Sequence, residues 1–242
     1  MAATTDALLE RVTAAPGEAA IFLDFDGVLA PIVERPENAY PPPEVRTELE
    51  RLVARYELVA VVSGRAGDDV RRRVDVDGVV YVGSHGLELD RQADRWRTRI
   101  AAFAGTAPWP ASEIELKGLS VAFHFRGRTD EAAAIVELEA LAERARDDGL
   151  VARFGRKVLE VLPPLGSHKG TAVRHLLEGA GISRALVAGD DTTDIDAFRA
   201  VEDLEHRIRV AVVAPESPRL LAEHAELVLA STEEFLELLR RL

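Results

Sequence analysis

Apolar residues fall in short runs along the chain, separated by amphipathic stretches of helical length. AIFLDF (20–25), LVAVVS (58–63), VVYVGS (79–84), ALVAGD (185–190) and IRVAVV (208–213) are nearly continuous in apolar character. That is the pattern of strands covered on both faces. Helical spacing appears at about 43–56, 66–73, 168–180, 193–202, 217–224 and 231–241. In PPPEVRTELERLVARY (41–56), prolines mark the start and apolar residues then recur with helical period. This alternation predicts an α/β fold, a doubly wound, Rossmann-like parallel sheet. Ligands of such sheets gather at the carboxyl ends of strands. Asp24, Asp26, Ser63, Asp190 and Asp191 all fall at such ends.

The pattern changes between residues 106 and 165. KGLSVAFHF (117–125) and LVARFGRKVLEVLP (150–163) read as antiparallel strands, the second pair joined by a turn at Gly155-Arg156. The charged helix TDEAAAIVELEALAERARDD (129–148) lies between them. The expectation is therefore a core of residues 1–105 and 166–242, carrying a smaller inserted α+β cap of residues 106–165.

Composition narrows the partners. Thirty Lys and Arg against 42 Asp and Glu give a net charge of −12, which disfavours a general grip on nucleic acid or an anionic membrane. No cysteine is present, so disulfides and thiolate metal sites are excluded. The N-terminal segment MAATTDALLERV lacks the basic-then-apolar pattern of a secretory signal, and no apolar run approaches the ~20 residues of a membrane span. The expected location is the cytoplasm.

Four clusters carry candidate chemistry. In Asp24-Phe25-Asp26-Gly27 two carboxylates at a strand end point the same way, and Gly27 permits a sharp turn. An Asp-Gly turn alone explains that segment equally well. In AGDDTTDIDAF (188–198), Asp190, Asp191 and Asp194 crowd a strand-to-helix junction. A helix cap needs one such residue, not several. Five acidic groups at the strand ends of one sheet call for a hard cation with oxygen ligands, and Mg²⁺ fits best. Ser63, in VVSGR (61–65), offers a hydroxyl and nearby backbone N–H groups to a phosphoryl oxygen, although a plain Ser-Gly turn is the alternative. Lys169, in GSHKGTAV (166–173), opens a helix, where it is either solvated or joins the helix dipole in holding an anion.

As a set, Asp-x-Asp-Gly, Ser-Gly-Arg, Lys-Gly and Gly-Asp-Asp-x-x-Asp resemble the haloacid dehalogenase superfamily of phosphohydrolases. VGSHGLELD (82–90), KGLSVAFHFR (117–126), KVLEVLPP (157–164) and GDDTTDIDAF (189–198) are similar to the signatures of bacterial trehalose-6-phosphate phosphatases. The resemblance implies hydrolysis of trehalose 6-phosphate, with Asp24 as nucleophile and Asp26 as general acid and base. It implies Mg²⁺ held by the Asp24 carboxylate, the Asp26 main-chain carbonyl and Asp190, supported by Asp191 and Asp194. Ser63 and Lys169 would neutralise phosphoryl oxygens. Arg65, His85, Glu88, Lys117, His124, Arg126 and Glu160 would contact the sugar. It is also compatible with functional coupling to a trehalose-6-phosphate synthase. Val28 stands where many members carry threonine, and Ile195 where an acid is common. The rival readings are a phosphatase for sucrose or hexose phosphates, a catalytically silent sugar-phosphate sensor and, more remotely, a phosphomutase.

Overall fold

The computed structural model describes residues 4–155, 157–214 and 217–242. The chain divides into two compact units, residues 1–86 with 167–242, and residues 87–166.

The first unit is built on a six-stranded parallel sheet. In chain order its strands are β1 (Ala19–Leu23), β2 (Leu58–Val62), β3 (Val80–Val82), β8 (Arg184–Gly189), β9 (His206–Val212) and β10 (Leu227–Leu229). Their spatial order is β10-β9-β8-β1-β2-β3. β1 runs first to β2 and β3 on one side, and the chain later fills the other side with β8, β9 and β10. The switch point of the topology is therefore the gap between β1 and β8, where such sheets place their ligands. One face of the sheet, through Ile21, Leu23, Val59, Val61, Leu186 and Ile208, packs on helices α1 (Thr5–Thr13), α2 (Pro43–Val53) and α9 (Thr232–Leu239). Helices α6 (Lys169–Leu177) and α7 (Thr192–Ala200) pack against each other and touch β2 and β8 respectively. Helices α3 (Gly67–Val74) and α8 (Arg219–Glu223) complete this unit.

The five core strands expected from apolar runs are present. β10, half-buried and three residues long, carries too few apolar positions to stand out. Helix α1 is set by Thr4, whose hydroxyl accepts from the Ala7 N–H, and by buried Leu8, Leu9 and Val12.

The second unit is an antiparallel sheet in the order β4-β5-β7-β6, from β4 (Ile114–Leu116), β5 (Val121–His124), β6 (Val151–Gly155) and β7 (Val158–Leu162). Gly155 pairs with Val158, so β6 and β7 form the expected hairpin; Arg156 lies outside the described residues. One sheet face packs on α5 (Glu131–Asp147) and α4 (Ala93–Gly105) through Val121, Phe123, Leu159 and Val161. Here the structure departs from the expected boundary at residue 105. Helix α4 buries Trp96, Ile100 and Phe103 in this unit's own core, Phe103 meeting Phe123 edge to face at 6.2 Å. The division accordingly falls between Gly86 and Leu87. Among the described residues, no helix is long and apolar enough to cross a membrane.

Candidate active site

The parallel register decides what meets at the switch point. Leu23 pairs with Val61 on one side and Ala188 on the other, so β1, β2 and β8 end nearly level. Asp24, Ser63 and Asp190 are the next residues out, and the Asp24 N–H still donates to the Ala188 carbonyl at 3.0 Å. A carboxylate oxygen from each of Asp24, Asp190 and Asp194 lies within 4.8 Å of the other two.

Lys169 closes this cluster. Its Nζ lies 2.7 Å from Asp24 Oδ2 and 2.7 Å from Asp194 Oδ1, and its side chain is only 3% exposed. Burial by itself pushes an ammonium pKa down, but Asp194 and Asp24 outweigh it and raise the lysine's pKa. Lys169 is thus a fixed cation, although it occupies the first position of α6, where the helix dipole opposes it.

One lysine does not balance three carboxylates. Burial pushes Asp24 up to about 7, against the pull of Lys169 and with Asp194 adding to the rise. Burial likewise raises Asp190 to about 8, and Asp24 and Asp194 add to it. With both raised, each carboxyl holds a proton below neutral pH unless a cation takes the proton's place. An all-oxygen donor set with excess negative charge fits a hard divalent ion such as Mg²⁺.

Asp194 is committed elsewhere. Its Oδ2 accepts from the Asp190 and Asp191 N–H groups, both at 3.1 Å, while Oδ1 takes Lys169. Its Cβ would lie 2.2 Å from any Cβ built at Gly189, so only glycine fits there. Gly27 plays the same part for Asp190. It adopts φ +74°, and a Cβ at this position would lie 2.2 Å from Asp190 Oδ2.

The structure does not bring Asp191 into the carboxylate cluster. It is the N-cap of α7, its side chain accepting from the Thr192 N–H at 2.7 Å, and it is exposed. Asp26 also points elsewhere: Arg65 forks onto it, Nε to Oδ2 at 2.7 Å and Nη2 to Oδ1 at 2.8 Å. Ser63 is buried, its Oγ accepting from the Arg65 N–H at 3.2 Å. The segment 63–65 is zipped to Ser84-His85 by backbone bonds from Ser84 N to Arg65 O and from His85 N to Ser63 O. Ser84, His85 and Gly86 all have positive φ, and the His85 ring packs over Gly64, where a Cβ would lie 2.7 Å away. His85 therefore supports the Ser63 loop directly. Val28 and Ile195 are buried apolar residues.

In the second unit the sheet face opposite the helices is polar. Register places Glu115, Ala122, Glu160 and Arg153 in one row across it. Ser120 Oγ donates to Glu160 Oε1 at 3.1 Å, and Lys117 Nζ lies 3.9 Å from the same oxygen. Glu115 Oε2 is 3.0 Å from His124 Nε2 and 3.8 Å from Lys117. Lys117, His124 and Glu160 are therefore brought together. Arg126 is exposed beyond the end of β5, and Glu88 is half-buried in the short 3-10 segment Ser84–Leu89. Glu115 and Ser120 were missed in sequence, although Glu115 stands at strand spacing from Lys117.

The trehalose-phosphatase family model matches residues 22–220. The chain belongs to that family. A trehalose-phosphate phosphatase of Mycobacterium avium is 35% identical over 244 residues, covering 86% of this chain and 61% of its own length. A probable trehalose-phosphate phosphatase D of Arabidopsis thaliana is 31% identical, covering 76% and 57% respectively. This chain thus spans about three fifths of the length of these trehalose-phosphatase relatives. The fold matches the C-terminal domain of Candida albicans trehalose-6-phosphate phosphatase with TM-score 0.72 at 22% identity, covering 98% of this chain and 96% of that one.

Proposed function

We propose that the protein hydrolyses trehalose 6-phosphate to trehalose and phosphate by way of an aspartyl-phosphate. The observation that carries this reading is Asp24, buried at the switch point with its carboxylate held between Lys169 and the Phe25 N–H, which donates to Oδ1 at 2.7 Å. Buried carboxylates positioned in this way serve as nucleophiles, splitting one hard displacement into two easier ones.

An oxygen of Asp24 attacks phosphorus as the bond from phosphorus to the sugar oxygen breaks. Asp26 donates a proton to that oxygen, and trehalose leaves. Asp26 then takes a proton from water as the water oxygen attacks the same phosphorus, which releases phosphate and returns Asp24 as a carboxylate. Lys169 keeps a positive charge beside the reacting centre throughout, and Ser63 with its loop N–H groups faces the phosphoryl oxygens. Mg²⁺ would be held by Asp24 and Asp190 together with the Asp26 carbonyl, with Asp194 fixing Asp190 and Lys169 in place. When bound it supplies the charge that keeps Asp24 ionised and offsets charge on the phosphoryl group.

Trehalose is uncharged and rich in hydroxyls, so its recognition needs paired donors and acceptors. The polar row of the second unit, Lys117, His124 and Glu160 with Glu115 and Ser120, provides both kinds. Residence in the cytoplasm and functional coupling to a synthase belong to the same proposal.

The test is phosphate release with Mg²⁺ across trehalose, sucrose and hexose phosphates. A clear preference for trehalose 6-phosphate is expected. Equal rates across the panel would reduce the reading to a general sugar-phosphate phosphatase, and no turnover on any ester would leave a sensor. Glu160→Ala is expected to lower kcat/KM on trehalose 6-phosphate about 10-fold or more, in line with loss of a hydrogen bond from a buried partner, and to spare a small aryl phosphate.

A further inference from the structure

Arg65 follows Ser63 by two residues and is expected from sequence to contact the sugar. Its observed partners leave little room for that. Nε and Nη2 fork onto the two oxygens of Asp26 at 2.7 and 2.8 Å, Nη2 also donates to the Pro36 carbonyl at 3.0 Å, and Nη1 donates to Asp69 Oδ2 at 3.3 Å. Four donor contacts use most of the five N–H groups a guanidinium has. Its side chain is 15% exposed, and the guanidinium lies 5.2 Å from the centre of the Phe25 ring, next to Asp26 in sequence.

The residue that holds Arg65 is held in turn. Asp69 Oδ2 also accepts from Arg73 Nε at 2.8 Å, and the two arginines keep Asp69 below its usual carboxylate range despite its partial burial. Arg73 donates to the carbonyls of Glu37 and Ala39 and lies over the Tyr40 ring at 4.8 Å. Residues 65, 69 and 73 are spaced by four, so one side of the turn leading into α3 and of α3 itself presents them in a row. The row ties helix α3 and the segment 36–40 to a single carboxylate.

We propose that Arg65 is a positioning residue for Asp26, and that Asp69, braced by Arg73, is the residue that positions Arg65. The inference rests on the reading of Asp26 as the proton donor and acceptor of the reaction. A bidentate guanidinium fixes the plane of the carboxylate in its ionised form, ready to take a proton from water, and one of the two bonds gives way when Asp26 carries the proton it donates to the sugar oxygen. Lysine in place of arginine keeps the charge and loses the fork.

The test is a double-mutant cycle in steady-state kinetics on trehalose 6-phosphate with Mg²⁺. Arg65→Met and Arg65→Lys are expected to lower kcat about 10–100-fold, the usual scale of a misplaced catalytic group, with KM within about threefold. Asp69→Asn is expected to lower kcat less, about 3–10-fold, and serves as the second probe if the Arg65 variants fold poorly. In an Asp26→Asn background each of these substitutions is expected to cause no further loss. A raised KM with kcat intact, or losses that persist undiminished in the Asp26→Asn background, would overturn the proposal and return Arg65 to the sugar. An Asp26→Asn enzyme with near wild-type kcat would instead remove the assignment of Asp26 itself.

Discussion

Removing the charge of Asp24 tests the chemistry at a single atom. Asp24→Asn keeps the shape and removes the proposed nucleophile, so kcat is expected to fall at least about 1,000-fold, the scale seen when a member of a catalytic unit is lost. Rapid-quench detection of a phosphoryl-enzyme in the wild type and its absence in the variant completes the check. Gly27 gives a subtler probe. An alanine there meets Asp190 at 2.2 Å and must also hold φ +74°, so Gly27→Ala displaces either the loop or the carboxylate. Its kcat is expected to drop about 100-fold and its Mg²⁺ requirement to rise, read from a metal titration of activity. Unchanged metal dependence would show that the loop gives way and leaves Asp190 in place. Both residues were visible in the Asp-x-Asp-Gly pattern. The close approach of Asp190 to Gly27 was not, because it depends on β8 lying beside β1 although some 160 residues separate them in sequence.

Helix α7 shows what a short motif hides. Three aspartates in GDDTTD look alike in sequence, yet the strand-to-helix turn assigns each a different task. Asp190 leaves β8 toward Asp24, Asp194 folds back onto two backbone N–H groups, and Asp191 becomes the N-cap. Asp191→Ala is therefore expected to cost about 1 kcal/mol of stability, as loss of a cap does, while Asp191→Ser restores most of it. Turnover at saturating Mg²⁺ should stay within about threefold of wild type in both, because a cap acts on the helix end and not on the reacting atoms. A large loss of turnover in Asp191→Ser with stability intact would place this carboxylate at the metal after all. The core strands were legible because a strand covered on both faces must be apolar throughout. Helix α4 escaped, since ADRWRTRIAAFAG (93–105) alternates charge and bulk with no strong cap, and its allegiance to the second unit is written in Phe103 meeting Phe123.

For the whole molecule, the unbalanced carboxylate cluster sets how stability responds to pH. Asp24 and Asp190 have pKa values raised to about 7 and about 8, whereas unfolded aspartate titrates near 3.8. Between those limits the folded protein keeps a proton that the unfolded chain has given up. Stability from this source is full below about pH 4 and is lost as pH rises through about 7 to 8. Asp69 and Glu226, whose pKa values are lowered by their arginine partners, act in the opposite sense, but only where pH falls toward their acidic range. From pH 5 to 8.5 they contribute a constant. In chelator, the melting temperature is therefore expected to fall across that window, by on the order of 5 °C more than in Asp190→Asn, at roughly 2–4 °C per kcal/mol for a chain of this size. A saturating divalent ion favours the ionised carboxylates, so Mg²⁺ should flatten the wild-type slope and bind more weakly as pH falls below 7. Thermal scans of both proteins with and without Mg²⁺ measure these slopes. Identical slopes for wild type and Asp190→Asn in chelator would mean that Asp190 carries no extra proton in the folded protein, and that the raised titration belongs to Asp24 alone.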